Sequence, residues 1–178
     1  MNKVEYEGVT IELTRGDIAN QPDCDAVVNA ANAQLRIGGG VAGAIHRAAG
    51  PGLEEETRPL APINPGEAVI TGGHDLPNPH VIHCLGPVYG RDKPEDKLLA
   101  DCYRNALQQA EENELASIGF PAISTGAFGY PMEDAAEVAL TTIKSEIPSL
   151  ESVKIIRFVL WGEESMGIHS AMLEEKFG

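Results

Sequence analysis

The chain has 178 residues, 43% apolar and 22% charged, which is ordinary for a globular protein and enough for one sizeable core. Thirteen basic against 27 acidic side chains leave a net charge of −14, which argues against a broad electrostatic footprint for nucleic acid. No apolar run approaches the roughly 20 residues that cross a bilayer.

Taken in order, Val9 to Thr14 alternates apolar and polar residues, as a half-buried strand does. Ala26 to Asn29 reads as a short buried strand. Val41 through Ala49 reads as a helix closed by Gly50-Pro51, with a second short helix over Leu53 to Thr57. Pro59, Pro62 and Pro65 predict an irregular loop. Ala68 to Thr71 is a strand ended by Gly72-Gly73, and His80 to Leu85 is another, stopped by Gly86-Pro87. Pro94 is expected at the first helical position of a helix reaching about Asn113, with Leu98, Leu99, Cys102, Tyr103, Ala106, Leu107 and Ala110 at helical spacing. Ser117 to Ile123 is a buried strand, Ser124 to Pro131 a loop of small residues, and Met132 to about Ile147 a helix. Val153 to Leu160 is the last strand, followed by a short helix from about Glu164 to Leu173. Strands alternating with helices predict a mostly parallel sheet with helices on both faces, in one domain spanning 1–178.

Two segments carry the chemistry. Val27-Val28-Asn29-Ala30-Ala31-Asn32 ends a strand in two asparagines, and Gly38-Gly39-Gly40-Val41 then leads into a helix. Residues without Cβ let a ligand touch the main chain, and free N–H groups at a helix start favour an anion, usually phosphate. Ser124-Thr125-Gly126-Ala127-Phe128-Gly129 likewise follows a strand and precedes a helix. In parallel sheets ligands bind beyond the carboxyl ends of the strands, so both loops are expected at one edge. Main-chain donors would hold a phosphate without lysine or arginine, which suits so acidic a chain.

With Gly16-Asp17-Ile18, Val27 to Asn32, Gly38 to Val41 and Ile123 to Pro131 in this order, the chain resembles the macro domain family, nearest the bacterial MacroD-type proteins. The resemblance runs over nearly the whole chain, including His46 to Pro51 and Val81-Ile82-His83. It implies a three-layer α/β/α fold with a mixed, mostly parallel sheet that binds ADP-ribose. On this resemblance Asp17 accepts from the adenine amino group beside Ile18, and Asn32 binds the distal ribose. Gly39, Gly40 and Val41 line one side of the diphosphate, and Ser124, Thr125, Gly126 and Ala127 the other. Phe128 packs on the distal ribose, and Trp161 matches a position that stacks on adenine. Asn32 and Phe128 would orient the reacting water. The expected partners are ADP-ribose and ADP-ribosylated proteins, with no cofactor and no metal.

Plainer readings stand beside these. Asp17 could cap a helix starting near Ile18. Asn29 suits holding the turn through backbone hydrogen bonds, whereas Asn32 is the better ligand contact. Trp161, the single tryptophan, could be core. His46 reads as a helix histidine bonded to nearby backbone. His74, His80 and His83 with Cys84 match no zinc spacing. One departure matters: hydrolytic MacroD-type proteins usually carry an aspartate after Gly-Gly-Gly-Val, and here that residue is Ala42. The resemblance implies that some macro domains with alanine there, viral ones among them, still remove ADP-ribose, with a water held between the ligand's own diphosphate and the distal ribose. The expected activity is therefore slow hydrolysis of ester-linked ADP-ribose; the alternative is a reader that binds without turnover. Cys24, Cys84 and Cys102 sit in no framework spacing, which predicts reduced thiols. With no apolar signal core in Met1 to Glu7, this predicts a cytoplasmic protein; a monomer is expected. The acidity serves solubility, or reflects a salt-adapted host with only six lysines.

Overall fold

The computed structural model describes residues 1–178. Its strands are β1 (Lys3–Tyr6), β2 (Val9–Arg15), β3 (Ala26–Ala30), β4 (Ala68–Gly72), β5 (His80–Cys84), β6 (Ser117–Phe120) and β7 (Ile155–Leu160). Its helices are α1 (Gly40–Ala49), α2 (Pro51–Thr57), α3 (Glu95–Glu112), α4 (Met132–Glu146) and α5 (Glu163–Phe177). The strands form one sheet in the order β1-β2-β7-β6-β3-β5-β4. The five central strands are parallel, and β1 and β4 pair antiparallel at the two edges.

Period-two alternation sends successive side chains to opposite faces, and three pairs show it. Val28, Ile82 and Phe158 join the large core beneath α3, α4 and α5, where Tyr103, Phe120 and Leu140 are buried. Their neighbours Val27, Val81 and Val159 join a smaller core with Ile45 and Ala49 of α1 and Leu53 of α2. Helices therefore cover both faces, giving the three layers expected.

Three elements differ from the sequence reading. β1 was not anticipated: it is only four residues long, with Lys3 and Glu5 exposed and Val4 and Tyr6 against the core, but Glu7 and Gly8, both at positive φ (47° and 83°), close a two-residue hairpin onto β2. Pro94 stands just before α3 as its N-cap, one position earlier than expected. The closing helix is 15 residues long, not short, and runs to Phe177, whose ring packs edge-on against Tyr6 at 5.3 Å. No helix is long and apolar enough to cross a membrane.

Candidate functional site

Because β2, β7, β6, β3 and β5 run parallel, the segments that leave them all emerge at one edge. Those segments carry every residue assigned above to the ligand. Asp17 and Ile18 follow β2, Trp161 follows β7, Ser124 to Phe128 follow β6, and Asn32 and the glycines follow β3.

The glycine loop ends with Gly39 as N-cap of α1, with no side chain capping the helix. The N–H groups of Gly39, Gly40 and Val41 find no acceptor within the chain. A Cβ on Gly39 or Gly40 would meet nothing within 4 Å, so this rim is open. Gly40 has φ +53°, a conformation glycine adopts without penalty. Gly43 is different: a Cβ there would strike the Gly38 carbonyl and lie 2.7 Å from Arg47 Nη1. The helix start and the loop are thus packed backbone to backbone.

The second loop has the same character. The amides of Gly126, Ala127 and Phe128 are also without acceptors in the chain. Ser124 is held at φ +69°, in the left-handed region that costs a non-glycine residue. Its carbonyl accepts from Tyr130 N–H at 2.9 Å, and its buried Oγ has no partner. Thr125 Oγ1 donates back to the Ala122 carbonyl at 2.7 Å. Phe128 packs on the cluster of Ala31, Leu35, Ile63 and Leu85, which ties this loop to the segment following β3.

The turn brace expected of Asn29 is made by Asn32 instead. Asn32 braces its own turn: Nδ2 donates to the Arg36 carbonyl at 2.8 Å and Oδ1 accepts from Arg36 N–H at 3.0 Å. Asn29 makes no backbone bond and lies fully buried, with Nδ2 at 3.0 Å from His83 Nδ1. His83 Nε2 is 3.0 Å from Thr71 Oγ1. Burial, with His46 nearby, lowers the His83 pKa to about 3, so the ring is neutral. His46 is buried beneath α1 and pushed below the usual histidine range by burial, and its Nε2 has no partner instead of a backbone bond.

Asp17 is exposed, and no helix starts after it. Its Oδ1 accepts from Ala19 N–H at 2.9 Å in a tight turn, leaving Oδ2 open. Ile18 beside it is buried in the smaller core. Trp161 is 86% exposed, which rules out a core role for it. It lies close to Asp17, since Arg15 pairs with Leu160 and Gly16 N–H donates to the Leu160 carbonyl at 3.2 Å. Sequence reasoning missed Gln21, Asn78 and Arg157, which hold the segment behind Asp17. A cavity of about 650 Å³ lies elsewhere, in an open groove between α3 and α4 that reaches this edge only at Tyr89 and Tyr130.

Fold and edge together define an open α/β/α domain whose strand ends present main-chain donors in place of cations. Residues 28–139 match the macro domain family, and the chain belongs to it. It is 46% identical over 167 residues to an O-acetyl-ADP-ribose deacetylase of Klebsiella pneumoniae, covering 91% of this chain and 95% of that protein. It is 44% identical over 170 residues to the ADP-ribose glycohydrolase MACROD2 of Xenopus laevis, covering 94% of this chain and 40% of that protein. A substituted form of the Oceanobacillus iheyensis macrodomain, solved with ADPR, superposes with a TM-score of 0.92 at 37% identity, covering 97% of this chain and 96% of that one.

Proposed function

We propose that residues 1–178 act as one macro domain that binds ADP-ribose and slowly hydrolyses its esters, on carboxylate side chains of proteins or as O-acetyl-ADP-ribose. The observation that carries this reading is the pair of loops with unused N–H groups, Gly39 to Val41 and Gly126 to Phe128, on the adjacent strands β3 and β6. A diphosphate between them would be held by oriented dipoles, which tolerate the net charge of −14 better than a search for scarce cations. The exposed Asp17 carboxylate suits an amino donor such as that of adenine, and the neighbouring Trp161 offers a face for the base. The relatives' names point the same way.

In the reaction, water adds to the ester and the bond breaks to give ADP-ribose and a carboxylic acid. Ala42 supplies no base. Binding would fix water and ester in register while the loops' N–H groups stabilise developing negative charge. Phe128 would wall the ribose. Asn32 would contact it through its second Nδ2 hydrogen or second Oδ1 lone pair, since the brace to Arg36 uses only one of each. Ala42 also favours the second reading, a reader without turnover. Incubation with a Glu-linked mono-ADP-ribosylated protein decides between them. Release of free ADP-ribose above the uncatalysed rate is expected; tight binding without release leaves the reader.

A further inference from the structure

Between β2 and β3 the chain returns from the carboxyl end of one strand to the amino end of a parallel one, and it does so without a helix. Residues 16–25 cross the sheet as irregular chain on the α1 and α2 face. Ile18 and Cys24 pack into the smaller core. The crossing is close: a Cβ on Gly119 of β6 would lie 3.6 Å from Cys24 Sγ and 3.8 Å from Ile18 Cδ1. Asp17 stands at the first bend of this segment, so whatever anchors the crossing also aims its carboxylate.

The anchor is Arg157 of β7. Its guanidinium donates to Asp23 at 2.7 and 2.6 Å and to Glu12 of β2 at 3.0 Å. It also donates from Nη1 to Gln21 Oε1 at 3.0 Å. Gln21 Nε2 in turn donates to the Asp17 carbonyl at 3.0 Å. Only this orientation of the amide serves both ends, because a guanidinium cannot accept and a carbonyl cannot donate. Asn78 Nδ2 holds the far side, donating to the Gln21 and Cys24 carbonyls at 2.7 and 2.8 Å. Gln21 is 7% exposed.

We propose that Gln21 is a positioning residue for base selection: its amide carries the rigid Arg157 anchor to the Asp17 main chain and so sets where the carboxylate points. This rests on the ADP-ribose reading above. Gln21→Met removes both bonds. Gln21→Glu keeps an acceptor for Arg157 but cannot donate to the Asp17 carbonyl, so it cuts the link to Asp17 alone.

The measurement is calorimetric affinity for ADP-ribose and for its hypoxanthine counterpart, which carries an oxygen where adenine has an amino group, with melting temperatures alongside. Wild type should prefer ADP-ribose by about tenfold or more, the worth of one hydrogen bond to a charged group. Both Gln21 variants should lose most of that preference through weaker ADP-ribose binding, with affinity for the hypoxanthine ligand nearly unchanged. A preference retained in both variants, or equal weakening of both ligands in step with melting temperature, overturns the proposal. Asp17→Ala separates the two levels. A preference lost there but kept in both Gln21 variants overturns the positioning role alone. A preference absent from wild type, or kept in Asp17→Ala, overturns base reading by Asp17 and the positioning role with it.

Discussion

At the scale of single residues, Ala42 is the position where chemistry is most exposed to test. It is the third residue of α1, 5% exposed, and its Cβ lies 3.8 Å from where a Cβ on Gly38 would stand. A carboxylate there would gain from the helix N-terminus but lose hydration. If turnover is limited by the missing base, Ala42→Asp should raise the single-turnover rate on an ester-linked substrate by about 10² to 10⁴. An unchanged rate with intact binding would mean that water activation never depended on this residue. His46, one turn further along the same helix, is no substitute, because its ring is buried away from solvent.

At the scale of elements, the junction between the glycine loop and α1 contains two glycines with opposite duties. Gly43 is required by packing, since any Cβ strikes the Gly38 carbonyl. Gly43→Ala should destabilise the fold by about 1 to 3 kcal/mol, as overpacking does, and weaken ADP-ribose binding by shifting the loop. Gly39 has φ −86° and open space around it, so Gly39→Ala should leave the urea midpoint unchanged and affect only ligand binding. Equal midpoints for the two variants would refute this division. The strand, loop and helix order around both loops was legible because glycine and proline punctuate it and apolar runs mark the buried strands. β1 was not legible, because four residues alternating between exposed Lys3 and Glu5 and half-buried Val4 and Tyr6 are too short a pattern to stand out; its signal lay in the Glu7-Gly8 turn. Most of α5 was legible, but a diffuse apolar pattern hid its last turn. The tie from Arg157 to Gln21 spans 136 residues and leaves no trace in local spacing. The turn brace was assigned to Asn29 and not to Asn32 because two asparagines three apart look alike until the sheet buries one of them.

At the scale of the whole molecule, an excess of 14 negative charges repels itself in the folded state. Raising salt to about 1 M shrinks the screening length to about 3 Å, and the melting temperature should rise if that repulsion limits stability. A flat response would leave the acidity as a solubility feature. Acid should act through buried groups first. Burial lowers the pKa of His46, His83 and His169, with His46 adding to the effect on His83 and the Ser165 carbonyl opposing it at His169. Each folded pKa lies below the unfolded value of about 6.5, so below that pH the unfolded chain takes up protons that the folded chain refuses. Stability is therefore full above about pH 6.5 and falls as pH drops, for His83 down to about 3, with a limiting slope near 1.4 kcal/mol per pH unit for each histidine. The Arg157 guanidinium holds Asp23 at about 2, so its contribution, present above about 3.8, is lost only in a lower window. The two windows separate between pH 6.5 and 4.5, where the histidines act and Asp23 is still ionised. His83→Gln is the diagnostic variant. An amide can accept from Asn29 and donate to Thr71, replacing the buried bonds without a titrating ring. Its urea midpoint should decline less steeply than wild type across that range, even if it starts lower at pH 7. Parallel declines would show that His83 is not among the groups that couple this fold to acid.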